Sequence, residues 1–136
     1  MADELRIVIA GSRDFNDYEL LKREVLNIVK HDNRPKDYVK VISGGARGAD
    51  TLGERFAKEF GLEIKRFIPD WDGLGKRAGY VRNAEMAKYS VEDYNDGMLI
   101  AFWDGKSKGT KHMIDLANKH GLEVHVVNYK EMSNWF

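Results

Sequence analysis

The chain contains no cysteine. Disulfide scaffolds, thiol nucleophiles and cysteine-based metal sites are therefore excluded. It has only two prolines, Pro35 and Pro69; the first breaks a helical pattern and the second stops a strand pattern. No apolar run approaches the roughly 18 residues that span a bilayer, and the start, Met-Ala-Asp-Glu-Leu-Arg, has no signal-peptide character, so the expected address is cytoplasmic with no membrane partner. Charge of one sign is not in excess either: Lys+Arg and Asp+Glu both number 22. A nucleic-acid binder draws its affinity mainly from a basic surface, so this balance counts against one while leaving room for a local basic pocket. The four histidines, His31, His112, His120 and His125, show no HExxH-like spacing. No metal and no resident cofactor is expected.

What is present is an ordinary globular composition. With 136 residues, 43% hydrophobic and 32% charged, the chain fits one domain over residues 1–136 with a sizeable core. Leu5 to Ala10 is a nearly continuous apolar run, as a parallel strand covered on both faces requires. It ends in Gly11-Ser12-Arg13-Asp14-Phe15. Asn16 or Asp17 then caps a helix whose Leu21, Val25, Ile28 and Val29 recur at helical spacing to about Lys30. Tyr38 to Ser43 is a second strand. A second helix runs from about Gly48 to Phe60, closed by Gly61. Leu62 to Ile68 is a third strand, and Asp70 to Gly79 reads as a loop feeding a third helix from about Lys76 to Tyr89. The inward stripe expected there is Ala78, Val81, Ala84 and Ala87, interrupted by Arg82 and Asn83. Arg82 either snorkels outward or reaches a ligand. A fourth strand, Asp96 to Trp103, leads into a turn at Asp104 to Thr110; a fourth helix follows to about His120, and Glu123 to Val127 is a fifth strand. Tyr129, Met132, Trp135 and Phe136 form an apolar tail that folds back on the domain or contacts a second subunit.

Strands alternating with helices give a parallel sheet with helices on both faces, because right-handed crossovers leave little choice. The expected fold is α/β, a single Rossmann-like three-layer domain with strand order 3-2-1-4-5. In such sheets ligands bind outside the carboxyl ends of the strands, where the order reverses. Three glycine-bearing turns meet there. The central one, Ser43-Gly44-Gly45-Ala46-Arg47-Gly48-Ala49-Asp50, has the grammar of a phosphate site. Glycines let backbone approach an anion, and a helix N-terminus points its free N–H groups at it. Gly-Gly alone could equally turn a strand into a helix. Gly11, Ser12 and Arg13 supply the second turn, and Gly105, Gly109 and Thr110 the third. Their chemistry suits an anion with a flat part. Backbone N–H groups and the hydroxyls of Ser12, Ser43 and Thr110 suit phosphate or ribose oxygens, and Arg13, Arg47 and Arg82 suit charge. Trp71 and Trp103 either stack on a base or pack in the core. Lys106, Lys108 and Lys111 are a rim of the site or simply a solvated surface.

Taken together, Val8-Ile9-Ala10-Gly11-Ser12-Arg13, Ser43 to Asp50, Asp70-Trp71 with Gly75 to Gly79, Arg82-Asn83-Ala84-Glu85-Met86, and Gly105 with Gly109-Thr110 resemble the SLOG superfamily. Within it the match is to the small stand-alone branch related to the YspA and cpYpsA-like proteins of bacteria and phages. The resemblance implies a Rossmann-like sheet and a nucleotide or nucleotide-derived ligand as partner. It extends to the Lonely-guy phosphoribohydrolases, to which Arg82 with Met86 and the Gly105 to Thr110 turn are similar. That turn is longer here and lacks paired glycines. Where those enzymes place acidic residues after the threonine, this chain has Lys111-His112-Met113. Cleavage of an N-glycosidic bond calls for a carboxylate; Asp50, Asp72, Asp104 and Asp115 are candidates, and the sequence singles out none. Kinship with the DNA-processing Smf branch implies a DNA-binding alternative, which the zero net charge disfavours.

Overall fold

A computed structural model describes residues 4–132 of the chain. Its five strands are β1 (Leu5–Gly11), β2 (Val39–Ser43), β3 (Glu63–Arg66), β4 (Asp96–Trp103) and β5 (Glu123–Asn128). They pair in parallel in the order β3-β2-β1-β4-β5, as the crossover argument requires. The helices are α1 (Tyr18–Val29), α2 (Ala49–Phe60), α3 (Trp71–Leu74), α4 (Ala78–Val91), α5 (Lys108–Lys119) and α6 (Tyr129–Met132).

Alternation along the central strands divides the core in two. Ile7 and Ile9 of β1, with Met98, Ile100 and Phe102 of β4, face α1 and α2 and meet Leu21, Val25 and Phe56. Val8, Ala10, Leu99 and Ala101 face the other way, onto Met86 and Ala87 of α4 and Met113, Ile114 and Ala117 of α5. The layers are thus helix, sheet, helix. Helix ends follow their caps: Asp17 accepts from the Leu20 amide at 3.0 Å to start α1, and Gly61, left-handed at φ 69°, ends α2.

The structure corrects three expectations. The segment after Pro69 is not a loop: Asp70 caps a single turn, α3, by accepting from the Gly73 amide at 2.9 Å, and a 3-10 turn over Gly75–Arg77 joins it to α4. The buried side of α4 is Ala78, Asn83, Met86, Ala87 and Ser90, while Val81 is exposed. Small residues gave the periodicity too little contrast, and two of the buried positions are polar. The third strand is shorter than Leu62 to Ile68 and carries exposed Glu63, Lys65 and Arg66, as an edge strand should. Of the apolar tail, Tyr129 packs its ring 4.8 Å from that of Phe15; Trp135 and Phe136 lie outside the described residues.

Candidate functional site

The order of the sheet reverses beside β1, whose neighbours are β2 and β4. The loops leaving these three strands are stitched together by Ser12, a residue only 3% exposed. Its amide donates to the Phe102 carbonyl at 3.0 Å, and its own carbonyl accepts from the Phe15 amide at 3.2 Å and the Ala49 amide at 3.4 Å. Its hydroxyl accepts from the Asp104 amide at 3.2 Å. Asp104 in turn accepts from the Lys106 and Ser107 amides, both at 2.8 Å, and these bonds hold its carboxyl below the ordinary aspartate value. Ser107 caps α5, its hydroxyl 3.4 Å from the Thr110 amide and 3.1 Å from the Thr110 hydroxyl.

The loop between β2 and α2 closes on an anion that belongs to the chain itself. Asp50, 5% exposed, accepts from the Ala46 amide at 3.2 Å. The Gly45 amide donates to the Ser43 hydroxyl at 3.1 Å, and that hydroxyl donates to Glu54 at 2.7 Å. Two of the loop amides that a phosphate would use, those of Gly45 and Ala46, are thus already engaged. Burial pushes the Asp50 carboxyl up to about 6, against the opposing pull of the Ala46 amide and of the Arg82 charge. Gly44 has no room for a side chain: a Cβ there would lie 2.5 Å from Nη1 of Arg82 and 2.9 Å from Oδ2 of Asp50.

Arg82 and Asn83 of α4 complete the wall. Arg82 donates through Nη1 to the Gly44 carbonyl and through Nε to Oδ1 of Asn83 at 2.9 Å. Asn83 Nδ2 donates to the Gly109 carbonyl at 3.4 Å and to Nδ1 of His112 at 3.2 Å. With Nδ1 accepting, the neutral imidazole carries its proton on Nε2, and burial lowers its pKa and favours that neutral form. The His112 ring also meets Tyr80 edge-on, centroids 4.5 Å apart. A guanidinium with two partners fixed this way presents its remaining N–H groups in a set direction.

These elements enclose a cleft of two adjoining lobes, of about 440 and 400 Å³, which share Arg13, Ala46, Trp71 and Arg82. Among the residues singled out in the sequence, Gly11, Ser12, Arg13, Asp50, Trp71, Arg82, Asn83, Gly109 and Thr110 line the first lobe. Gly44, Gly45 and Arg47 line the second. Ser43, Trp103 and Gly105 line neither: Ser43 is bonded to Glu54, and Trp103 packs on the α4–α5 side and donates from Nε1 to the Ser107 carbonyl at 3.1 Å. Gly105 serves the turn with φ 83°. Of the four candidate carboxylates, Asp50 and Asp104 line the cleft. Asp72 is exposed on α3, and Asp115 is paired with Lys111 at 2.7 Å on the outside of α5.

Met86, named in the sequence with Arg82 for its likeness to the phosphoribohydrolases, also lines the first lobe, whereas sequence reasoning did not single out Lys76, Gly79, Tyr80, Ser107 and Met113 of that lobe or Ile68 and Pro69 of the second. A signal existed for some of them. Gly79, Arg82, Asn83 and Met86 recur at helical spacing and mark the cleft face of α4. Ser107 stands three residues before Thr110, the spacing of an N-cap.

Fold and site define a class: a Rossmann-like α/β domain with a cleft lined by arginine and aspartate side chains at the carboxyl edge of its sheet. Residues 5–73 match the family described as YspA, cpYpsA-related SLOG. The gene 61 protein of Mycobacterium phage D29 is 32% identical over 125 residues, covering 88% of this chain and 93% of that protein. The chain belongs to the YspA, cpYpsA-related SLOG family. No solved structure matches it. Among the described residues no helix is long and apolar enough to cross a membrane, and no group of three or more His, Asp or Glu side chains could hold a metal ion.

Proposed function

We propose that the cleft binds a nucleotide or a nucleotide-derived ligand, which the protein senses, carries or sequesters. What supports this reading is the convergence of Arg13 and Arg82 with Trp71, Tyr80 and Thr110 on one lobe, at the switch point of a parallel sheet. The guanidinium groups take the phosphate, because two of the loop amides are engaged by Asp50 and Ser43. The Gly109 amide, in the first turn of α5, adds the favourable end of a helix dipole. Trp71 and Tyr80, each about half exposed, offer aromatic surface to a base. Thr110 and Asp104 are suited to ribose hydroxyls.

One observation favours a hydrolytic variant of this reading. Asp50 is a buried carboxyl raised to about 6 in the wall of the first lobe, so near neutral pH it exists in both protonation states. Such a group can deliver a proton to a leaving base while water adds to C1′ and the N-glycosidic bond breaks.

Native mass spectrometry with a mixture of nucleotides tests both. A binder retains an adduct of intact ligand mass, whereas a hydrolase releases free base and ribose phosphate. Arg13 is exposed, so Arg13→Ala keeps the fold; losing a charge-assisted phosphate contact should weaken binding by about 10- to 100-fold. Unchanged affinity in Arg13→Ala and Arg82→Ala together would remove the cleft as the site.

A further inference from the structure

The two lobes differ in chemistry as well as position. The inner lobe is mixed in charge, with Asp14, Asp50 and Asp104 as well as Lys76 among its walls. Apart from the shared residues, the outer lobe is walled by Gly44, Gly45, Arg47, Ile68 and Pro69, with no carboxylate. The cations Arg13 and Arg82 stand on the boundary. Each lobe, at about 440 and 400 Å³, falls within the range of a complete small-molecule site, roughly 300–1,000 Å³.

A nucleoside monophosphate leaves the outer lobe without an occupant. A terminal phosphate reaching into it fills only a small part, since a water takes roughly 30 Å³ and a phosphate a few times that. The boundary calls for negative charge, and the space on either side calls for an organic group.

We propose that the ligand is two-headed: a nucleoside diphosphate esterified through its outer phosphate to a second organic group such as a sugar. The nucleoside occupies the inner lobe, the diphosphate crosses between Arg13 and Arg82, and the second group lies in the outer lobe against Ile68, Pro69 and Trp71. This rests on the nucleotide reading above and adds the class of ligand to it. Arg82 suits the bridging position because the Gly44 carbonyl and Asn83 fix its guanidinium between the lobes. Arg47, on the outer side only, meets hydroxyls of the second head.

Calorimetric titration of the intact protein decides it, with the mono-, di- and triphosphates and a diphosphate sugar of adenosine, guanosine and uridine as probes. In the series of the recognised base, the diphosphate sugar should bind at least about tenfold more tightly than the diphosphate. Ile68→Asn, a change at an exposed position, should narrow that gap to about twofold. Equal affinities for diphosphate and diphosphate sugar would overturn the two-headed ligand and leave the nucleotide reading standing. So would a triphosphate that binds most tightly and is indifferent to Ile68→Asn, since the outer lobe would then hold phosphate. No binding by any probe would overturn both.

Discussion

Asp50 carries the sharpest conflict at the scale of single residues. An aspartate raised to about 6 is one whose ionised form the fold disfavours, because burial costs more than its amide partner returns. The folded state therefore holds the proton more strongly than the unfolded chain. Between about pH 4 and pH 6 the native protein binds more protons than the unfolded one, so Asp50 makes stability fall as pH rises, and the full cost, about 3 kcal/mol, is present above pH 6. Glu54 and Asp104, held low by their partners, contribute the opposite slope at lower pH, so the wild-type profile alone is ambiguous. The difference between Asp50→Asn and wild type isolates the effect. Urea midpoints should show the variant gaining on wild type by about 1–3 kcal/mol from pH 4 to pH 7, and a flat difference would mean that Asp50 ionises freely. The residue was visible in the sequence as part of Gly48-Ala49-Asp50, but its burial was not. Nothing in a one-dimensional string places Arg82, 32 positions away, beside the loop that Asp50 closes, or shows that loop amides meant for a ligand are already bonded.

At the scale of elements, two helices begin at the cleft with a glycine, and their glycines differ in kind. Gly48 precedes α2 at φ 84°, ψ −128°, where a Cβ would strike the Ser12 carbonyl and come within 2.6 Å of the Arg13 carbonyl. Gly109 lies within α5, and a Cβ there would meet nothing within 4 Å. The same substitution should thus act in opposite directions. Gly48→Ala should destabilise by at least about 2 kcal/mol through backbone strain and the clash, whereas Gly109→Ala should be neutral or stabilise by up to about 1 kcal/mol through helix propensity and unfolded-state entropy. Equal effects in chemical denaturation would show that the two turns are not distinguished as described. Most elements were legible because apolar residues recur clearly in α1, α2 and α5 and run continuously in β1 and β4. α3 escaped because one turn offers no periodicity, only the cap at Asp70. The buried side of α4 was misread because its inward residues include Asn83 and Ser90, polar groups whose partners come from outside the helix or from its own carbonyls.

Strand order was legible at the scale of the whole molecule, since handedness and short connections admit few alternatives once alternation is recognised. With the order came the place of the cleft. Its division into two lobes was not legible, because Ile68 and Pro69 read simply as the end of a strand. The cleft is built from turns near residues 12, 46 and 108, which meet only in the folded chain. A ligand seated there binds the native state and has no comparable site in the unfolded one, so it stabilises by mass action, about 2.7 kcal/mol at a hundred times its dissociation constant. For a domain of 136 residues, an unfolding entropy of about 2.1 cal/mol/K per residue converts this to a rise in melting temperature of about 9 °C. Because ionised Asp50 faces the same lobe as an anionic ligand, the rise should be larger at pH 5.5 than at pH 7.5, measured at equal ligand concentration. A diphosphate diester is the right probe for this comparison, since a terminal phosphate titrates near pH 6 itself, whereas the bridging groups keep their charge throughout. Asp50→Asn should remove the difference between the two pH values while keeping the rise. An equal rise at the two pH values would instead place the phosphates away from Asp50, on the Arg47 side of the cleft.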